Sequence, residues 1–223
     1  MTGDQAPMSS NAGDVIPESR GAVDGLWVVL AKLLRRFVYV SRVLVREPVA
    51  GSLREIEEEG FVLRQASPDD LDRGVNDLPG ELDSAFVEAA LVRNDICIAA
   101  FHGGRMIAFV RRSFGVAPHI KGVRVRVDQP YWYTYKMFAH PDFRGQRLSG
   151  ALTLLGDMVA PDRGRHVSVG FIDMRNEASL RANLRLGSKI VGYAGFLRAG
   201  SLLIPFRTPG VVATTCRFER DND

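Results

Sequence analysis

The stretch from Phe138 to Leu152 narrows most what this chain can fold into. An aromatic, apolar run reaches Phe138-Ala139 and is stopped at Pro141. Arg144-Gly145 then makes a turn, and Leu148, Ala151, Leu152, Leu155, Met158 and Val159 recur at helical intervals. A strand, a short turn and an amphipathic helix therefore follow one another directly. The unsatisfied N–H groups of the helix start, the positive end of its dipole, and Arg144 and Arg147 converge on one point. That convergence is a cradle for an anion, with phosphate or pyrophosphate as the natural guest.

Composition removes several other classes. The 223 residues are 46% hydrophobic and 25% charged, which excludes a collagenous or wholly disordered chain. Lys plus Arg is 29 against 26 for Asp plus Glu, so the formal charge of +3 does not point to nucleic acid. Cys97 and Cys216 lie far apart and outside any metal-ligand spacing, so neither a disulfide framework nor a metal site is predicted. No stretch free of Asp, Glu, Lys and Arg exceeds nine residues, against roughly 18 to 20 needed to span a bilayer. Residues 1–20 lack the basic start and apolar stretch of a secretory signal, and a cytoplasmic protein is expected.

Along the chain, residues 1–21 are rich in Ser, Gly, Pro, Asn and Asp and read as a disordered leader. Over residues 25–46, Leu26, Leu30, Leu33, Leu34, Phe37 and Leu44 fall on one side of a helical wheel. Lys32, Arg35, Arg36, Arg42 and Arg46 fall on the other, and Pro48 closes the segment. This predicts a basic amphipathic helix, interrupted near the β-favouring run Val38–Val40. Glu55 to Gly60 reads as a joint, so residues 22–59 form an extension before a domain over 60–218 and a tail over 219–223. Within that domain, Phe61–Ala66 is a strand and Ser67-Pro68-Asp69-Asp70 a helix start. A helix follows at Leu82–Val92, then a hairpin of Asp95–Phe101 and Met106–Arg111 through Gly103-Gly104. Tyr131–Ala139 and His166–Ile172 read as strands, Asn176–Leu186 as a helix ended by Gly187. Further strands are expected within Lys189–Phe196, Ser201–Phe206 and near Val211–Phe218. The fold class is mixed α/β.

The segment Ala139-His140-Pro141-Asp142-Phe143-Arg144-Gly145 resembles the GNAT superfamily of acyl-CoA N-acyltransferases, whose fourth strand ends in small apolar, x, Pro, x, x, Arg, Gly. A second stretch, Asn176-Glu177-Ala178-Ser179 with Gly187 eleven residues after the Asn, is similar to that family's Asn-x-x-Ala/Ser helix. The resemblance implies a mostly antiparallel sheet with splayed fourth and fifth strands and flanking helices. It implies acetyl-CoA or another acyl-CoA as co-substrate and an amine attacking the thioester without a covalent enzyme intermediate. The pantetheine arm would pair with backbone at Phe138 and Ala139, where an N–H would polarise the thioester oxygen. The pyrophosphate would sit on Arg144, Gly145, Gln146, Arg147, Leu148 and Ser149, with Asn176 and Ser179 touching the cofactor further along.

Four positions depart from the family pattern. Arg147 and Ser149 stand where the loop usually carries glycine or alanine. Asn183 stands where a tyrosine usually protonates the leaving thiolate. Tyr133 stands where a glutamate base is often found, and no Asp or Glu lies between Gln129 and Pro141. Asp173, at the end of the next strand, is the expected substitute for proton handling, with Tyr133 beside it. Tyr131, Tyr133 and Tyr135 share one strand face, either as core or as lining of the acceptor pocket. His102 is placed at a hairpin tip and His119 in a loop, both expected in solvent, and Cys97 is expected in the core.

The expected partner is a small-molecule or peptide amine. A homodimer stays open, as does contact of residues 25–46 with the catalytic domain, a second subunit or an anionic inner-membrane surface. A long-chain acyl donor and a non-catalytic acyl-CoA-binding protein are the alternative functions.

Overall fold

The computed structural model describes residues 37–49, 51–159, 164–200 and 202–221. The chain divides after Phe37, and Val38–Asp223 is the second, compact unit. The expected leader, and the helix expected before Phe37, lie outside the described residues.

An eight-stranded sheet forms the centre of the second unit, in the order β10-β9-β1-β8-β7-β4-β3-β2. Its strands are β1 (Val38–Arg46), β2 (Val62–Gln65), β3 (Ile96–His102), β4 (Arg105–Ser113), β7 (Tyr131–Ala139), β8 (Val167–Asp173), β9 (Lys189–Ala199) and β10 (Leu202–Arg207). Every neighbouring pair is antiparallel except β7 and β8. A second, three-stranded sheet joins β5 (Val116–Ile120), β6 (Val123–Arg126) and β11 (Arg217–Arg220) in the order β11-β6-β5.

The expected helix over 25–46 is corrected from Val38 onward, where the chain is β1, an interior strand of the large sheet. Val38, Tyr39, Val40, Val43 and Val45 favour the pleated conformation, and β1 has a ladder on each edge, to β8 and to β9. Arg42 and Arg46 share a face of the strand as they would of a helix. That face meets acids: Arg42 binds Glu177 at 2.8 Å, and Arg46 binds Asp157. The domain therefore starts at Val38, not at residue 60. The expected joint contains a five-residue helix, α1 (Arg54–Glu58), and the expected tail is shortened because β11 runs to Arg220. The final predicted strand near Val211–Phe218 is replaced by a short helix, α6 (Pro209–Val212), followed by β11.

Other elements match their sequence signals. Helix α2 (Pro68–Asp77) opens with a capping box: Ser67 Oγ accepts from Asp70 N–H (3.2 Å), and Asp70 accepts from Ser67 N–H (2.9 Å). Arg64 also grips Asp70 and holds its carboxyl far below the usual carboxylate range. Asp83 caps α3 (Ser84–Val92) by accepting from Phe86 N–H at 2.8 Å. Gly103 and Gly104, at φ +57° and +79°, turn the β3–β4 hairpin. Helices α4 (Leu148–Val159) and α5 (Glu177–Arg185) follow β7 and β8 respectively.

Side chains on the two sheet faces form separate cores. On one face, Ile98, Ala100 and Val110 pack with Ile56 of α1 and with Leu148, Ala151 and Leu152 of α4. On the other, Cys97, Ala99 and Phe109 pack with Leu71, Leu82 and Val87 from α2, α3 and the loop between them. Further along that second face, Val43, Tyr133, Tyr135, Val169 and Phe196 pack beneath the small sheet through Val123, Val125 and Phe218. Cys97 and Cys216 are both buried thiols, pushed up to about 11 by burial, as a core role requires.

A buried charge cluster ties β1, β4 and α4 together. Asp157 accepts from Arg46 Nη2 (2.7 Å), Arg112 Nη2 (3.1 Å) and Val49 N–H (3.1 Å). The cluster requires Gly156: a Cβ there would lie 2.5 Å from the Arg112 guanidinium carbon. Removing one buried anion strands two cations. Asp157→Asn is therefore expected to cost about 3 to 5 kcal/mol in chemical denaturation, and a loss under about 1 kcal/mol would show the cluster to be incidental.

Candidate active site

Strands β7 and β8 run parallel and pair only through Tyr131–Val167, Trp132–Ser168 and Tyr133–Val169. Beyond Tyr133 and Val169 they part. The outer edge of β7 remains bonded to β4 as far as Ala139, and that of β8 to β1 as far as Asp173. The inner edges beyond the parting point therefore face one another across a slot without pairing. A bulge sharpens the divergence: Lys136 takes φ +49°, and the β4–β7 register slips between Phe109–Phe138 and Arg111–Tyr135.

The slot holds a cavity of about 340 Å³, bounded by Thr134–Met137, Gly170–Asp173 and, from α5, Ser179 and Asn183. It continues to the opposite sheet face, where Tyr39, His119 and Ile120 line it. A second cavity of about 370 Å³ adjoins it there, between Phe86 of α3 and Pro118–Gly122 of the small sheet. His119, Tyr133, Tyr135 and Lys136 belong to both.

Both helices that follow the parting strands begin at its open end. After β7, residues Pro141–Phe143 form a 3-10 turn, Gly145 takes φ +84°, and Arg147 carbonyl accepts the first helical bonds from Gly150 (3.0 Å) and Ala151 (3.2 Å). The N–H groups of Leu148 and Ser149 stand at the helix mouth. Arg144 lies beside them with its Nε donating to Ala139 carbonyl at 3.3 Å. Gln146 Oε1 is buried and meets no donor among the described residues.

Arg147 adopts φ +56°, the left-handed conformation that explains the usual glycine at this position. Its side chain is two-thirds exposed and reaches toward Glu59 (3.7 Å), so it swings clear of the helix mouth. With Arg185 it rims a third cavity of about 460 Å³, floored by Leu53, Ile56, Leu154 and Leu186 and also touched by Ser149.

The remaining expected site residues fall in different places. Asn176 caps α5, its Oδ1 accepting from Ser179 N–H at 3.0 Å. Asn183 lines the slot, but its Nδ2 donates back to Ser179 carbonyl at 2.9 Å. Phe138 and Ala139 lie on β7 past the lining residues and border none of these three cavities; Phe138 packs on Phe109 at 6.1 Å. Asp173 lines the slot, where its carboxylate accepts from Arg175 N–H (2.9 Å) and Nε (3.0 Å). Among the described residues, no group of His, Cys, Asp and Glu could hold a metal ion.

His119 corrects an expectation. It is not solvated in a loop but sits on β5, half-buried, with Nδ1 2.7 Å from Tyr133 Oη and Nε2 3.0 Å from Tyr39 Oη. Phe171 and Phe218 crowd its ring at 5.4 and 5.0 Å. Pro118 disguised the strand, but β5 is an edge of the small sheet, where a proline costs no ladder bond. The alternation Val123-x-Val125-x-Val127 after Lys121-Gly122 was the available sign of the hairpin.

Burial pushes the His119 imidazole down to about 4 and the Tyr133 hydroxyl well above its usual value. The ring is therefore neutral at pH 7. Its folded pKa lies below the unfolded 6.5, so on acidification the unfolded chain takes up the proton first. Stability is expected to fall as pH drops from 6.5 toward 4. His119→Gln should flatten this limb of the denaturation midpoint against pH, and an equally steep limb in the variant would contradict it.

The sequence matches no protein-family model and no curated protein. Solved structures do match. The GCN5-related glucosamine N-acetyltransferase region of a fungal multi-domain GH3 β-N-acetylglucosaminidase aligns at TM-score 0.51 and 12% identity. That alignment covers 86% of this chain and 24% of the other. A Drosophila protein solved by a structural-genomics consortium aligns at TM-score 0.50 and 14% identity, covering 79% of this chain and 56% of that one. The chain thus spans little more than half of one match and a quarter of the other. Parting parallel strands, an Arg-Gly turn at a helix mouth and these alignments agree: the chain shares the fold of that GCN5-related N-acetyltransferase region.

Proposed function

We propose that this chain is an acyl-CoA-dependent N-acyltransferase, moving an acyl group, most simply acetyl, from CoA to a primary amine by direct attack. One observation carries the reading: two unpaired backbone edges face each other across a slot whose open end carries two helix N-termini. A pantetheine arm has two amides and needs such edges, while a pyrophosphate needs such helix ends. The arm lies between Thr134–Met137 and Gly170–Asp173, and the pyrophosphate on the turn from Arg144 to Ser149. Arg147 and Arg185, over the apolar floor of the neighbouring cavity, suit the nucleotide end of CoA. Ser179 and Asn183 sit beside the arm. Tyr133 and Asp173 flank the slot for proton handling.

Bound acyl-CoA would supply a thioester carbonyl carbon, and the chain's own task is to hold it while the amine approaches from the His119 side. The amine, on a small molecule or a peptide, enters through the cavity beside Phe86. Tyr133, Tyr135 and Phe86 give that entrance aromatic walls.

Calorimetric titration with CoA tests the assignment. Arg144→Ala is expected to weaken binding by about 1 to 3 kcal/mol, and an unchanged affinity would remove the arginine from the phosphates. Gly170 offers a steric test, since a Cβ there meets nothing within 4 Å. Gly170→Val should fold with an unchanged melting temperature yet lose CoA binding, because its side chain fills the slot. If the unmodified chain does not bind CoA, the reading fails. Binding without turnover over a broad amine panel would favour a non-catalytic acyl-CoA-binding protein. Turnover only with long acyl-CoA would move the donor to the long-chain class.

A further inference from the structure

We propose that Tyr133 takes the acceptor amine's proton and that His119, behind it, receives the tyrosine's own proton. This inference rests on the acyltransferase reading and assigns its proton path. Three observations lead to it. β7 carries no acid anywhere along its length, so no carboxylate of that strand can take the amine's proton. Tyr133 and His119 line both the slot and the amine-side cavity, so they stand where donor and acceptor would meet. Finally, the histidine is held at both nitrogens, by Tyr133 at 2.7 Å and by Tyr39 at 3.0 Å.

The proton path requires one of the two tautomers that these hydrogen bonds allow. A neutral imidazole donates at one nitrogen and accepts at the other. With Nδ1 bare it accepts the Tyr133 hydroxyl proton, and Nε2–H donates to Tyr39 Oη. In the reaction the amine nitrogen bonds to the thioester carbon and the C–S bond breaks. One N–H proton passes to Tyr133 Oη as the Tyr133 proton passes to Nδ1, leaving a neutral amide and an imidazolium. CoA departs as thiolate and is protonated from solvent. Once the amide has left, Nδ1 returns its proton to Tyr133 as Tyr133 gives its own to solvent in the amine-side cavity, which restores the starting tautomer and balances the charges.

Asp173 is the competing acceptor. Its carboxylate already takes three hydrogen bonds from Arg175, and it stands at the end of β8, beyond the three paired positions. The groups facing His119 are Tyr39 from β1, Tyr133 from β7, and Phe171 and Phe218 from β8 and β11. None of them is a carboxylate or a cation.

The test follows release of the CoA thiol from acetyl-CoA, with glucosamine, benzylamine and a lysine-containing peptide as acceptors, using the fastest. His119→Gln can keep both tyrosine hydrogen bonds but cannot accept a proton. Its kcat should fall about 10²- to 10³-fold while acetyl-CoA affinity and melting temperature stay close to the unmodified values. Tyr133→Phe should fall comparably, which keeps the inference testable if the histidine variant folds poorly. Added imidazole should restore part of the rate to His119→Ala, which a purely structural role would not allow. A kcat within threefold of the unmodified chain in His119→Gln or Tyr133→Phe overturns the inference, as does failed imidazole rescue. An unmodified chain that binds CoA but turns over none of the amines overturns the acyltransferase reading and this inference together. Turnover with insensitive variants overturns only this one.

Discussion

Three residue pairs of parallel ladder decide the architecture. Because β7 and β8 are bonded only at Tyr131–Val167, Trp132–Ser168 and Tyr133–Val169, the sheet is continuous at one end and open at the other. Each strand past that point is held from its outer side, β7 by β4 and β8 by β1, so the gap cannot close by sliding. Unpaired backbone edges are ordinarily a liability to be covered. Here they are recessed inside a sheet, roofed by the small sheet on one face and bordered by α5 on the other.

Holding the two halves apart falls to buried charge as well as to apolar packing. Arg46 from β1 and Arg112 from β4 meet Asp157 of α4, so strands from both sides of the gap are fastened to one helix. A buried ion group adds little net stability over a well-packed apolar one, but it defines geometry sharply. Arg112 also lies 5.2 Å over the ring of Trp132, a residue of the last paired stretch before the strands part. The helix whose first turn faces the proposed phosphate site is thus anchored near its last turn to the two strands that back the walls of the slot.

Much of this could be read from residue order. The Pro141 stop, the Arg144-Gly145 turn and the helical spacing from Leu148 located one wall of the slot and the helix mouth, because each signal is local. The caps at Ser67 and Asn176 and the Gly103-Gly104 hairpin were legible for the same reason. Val38–Arg46 was not. Over nine residues, alternate apolar positions and a helical wheel give similar groupings, and only partners more than a hundred residues away choose the strand. His119 was hidden differently. A proline beside it suggested a loop, and nothing in its own neighbourhood indicates that Tyr39 and Tyr133, distant in sequence, would close around it. Local chemistry thus revealed the helix mouth proposed for the cofactor, whereas the cavity proposed for the acceptor was assembled by topology.

The position of β1 also constrains how the molecule comes into being. It is the first described strand to leave the ribosome, yet its two neighbours, β8 and β9, are among the last, with Ser41 pairing to Asp173 and to Ala194. Loops of that length close slowly, and β1 must wait, both edges open, until most of the chain has been made. The slot therefore cannot exist in any nascent fragment that stops before β8. A fragment begun at Gly60 would retain every recognisable motif but expose the β8 edge, and its failure would say nothing about the chemistry of the intact chain.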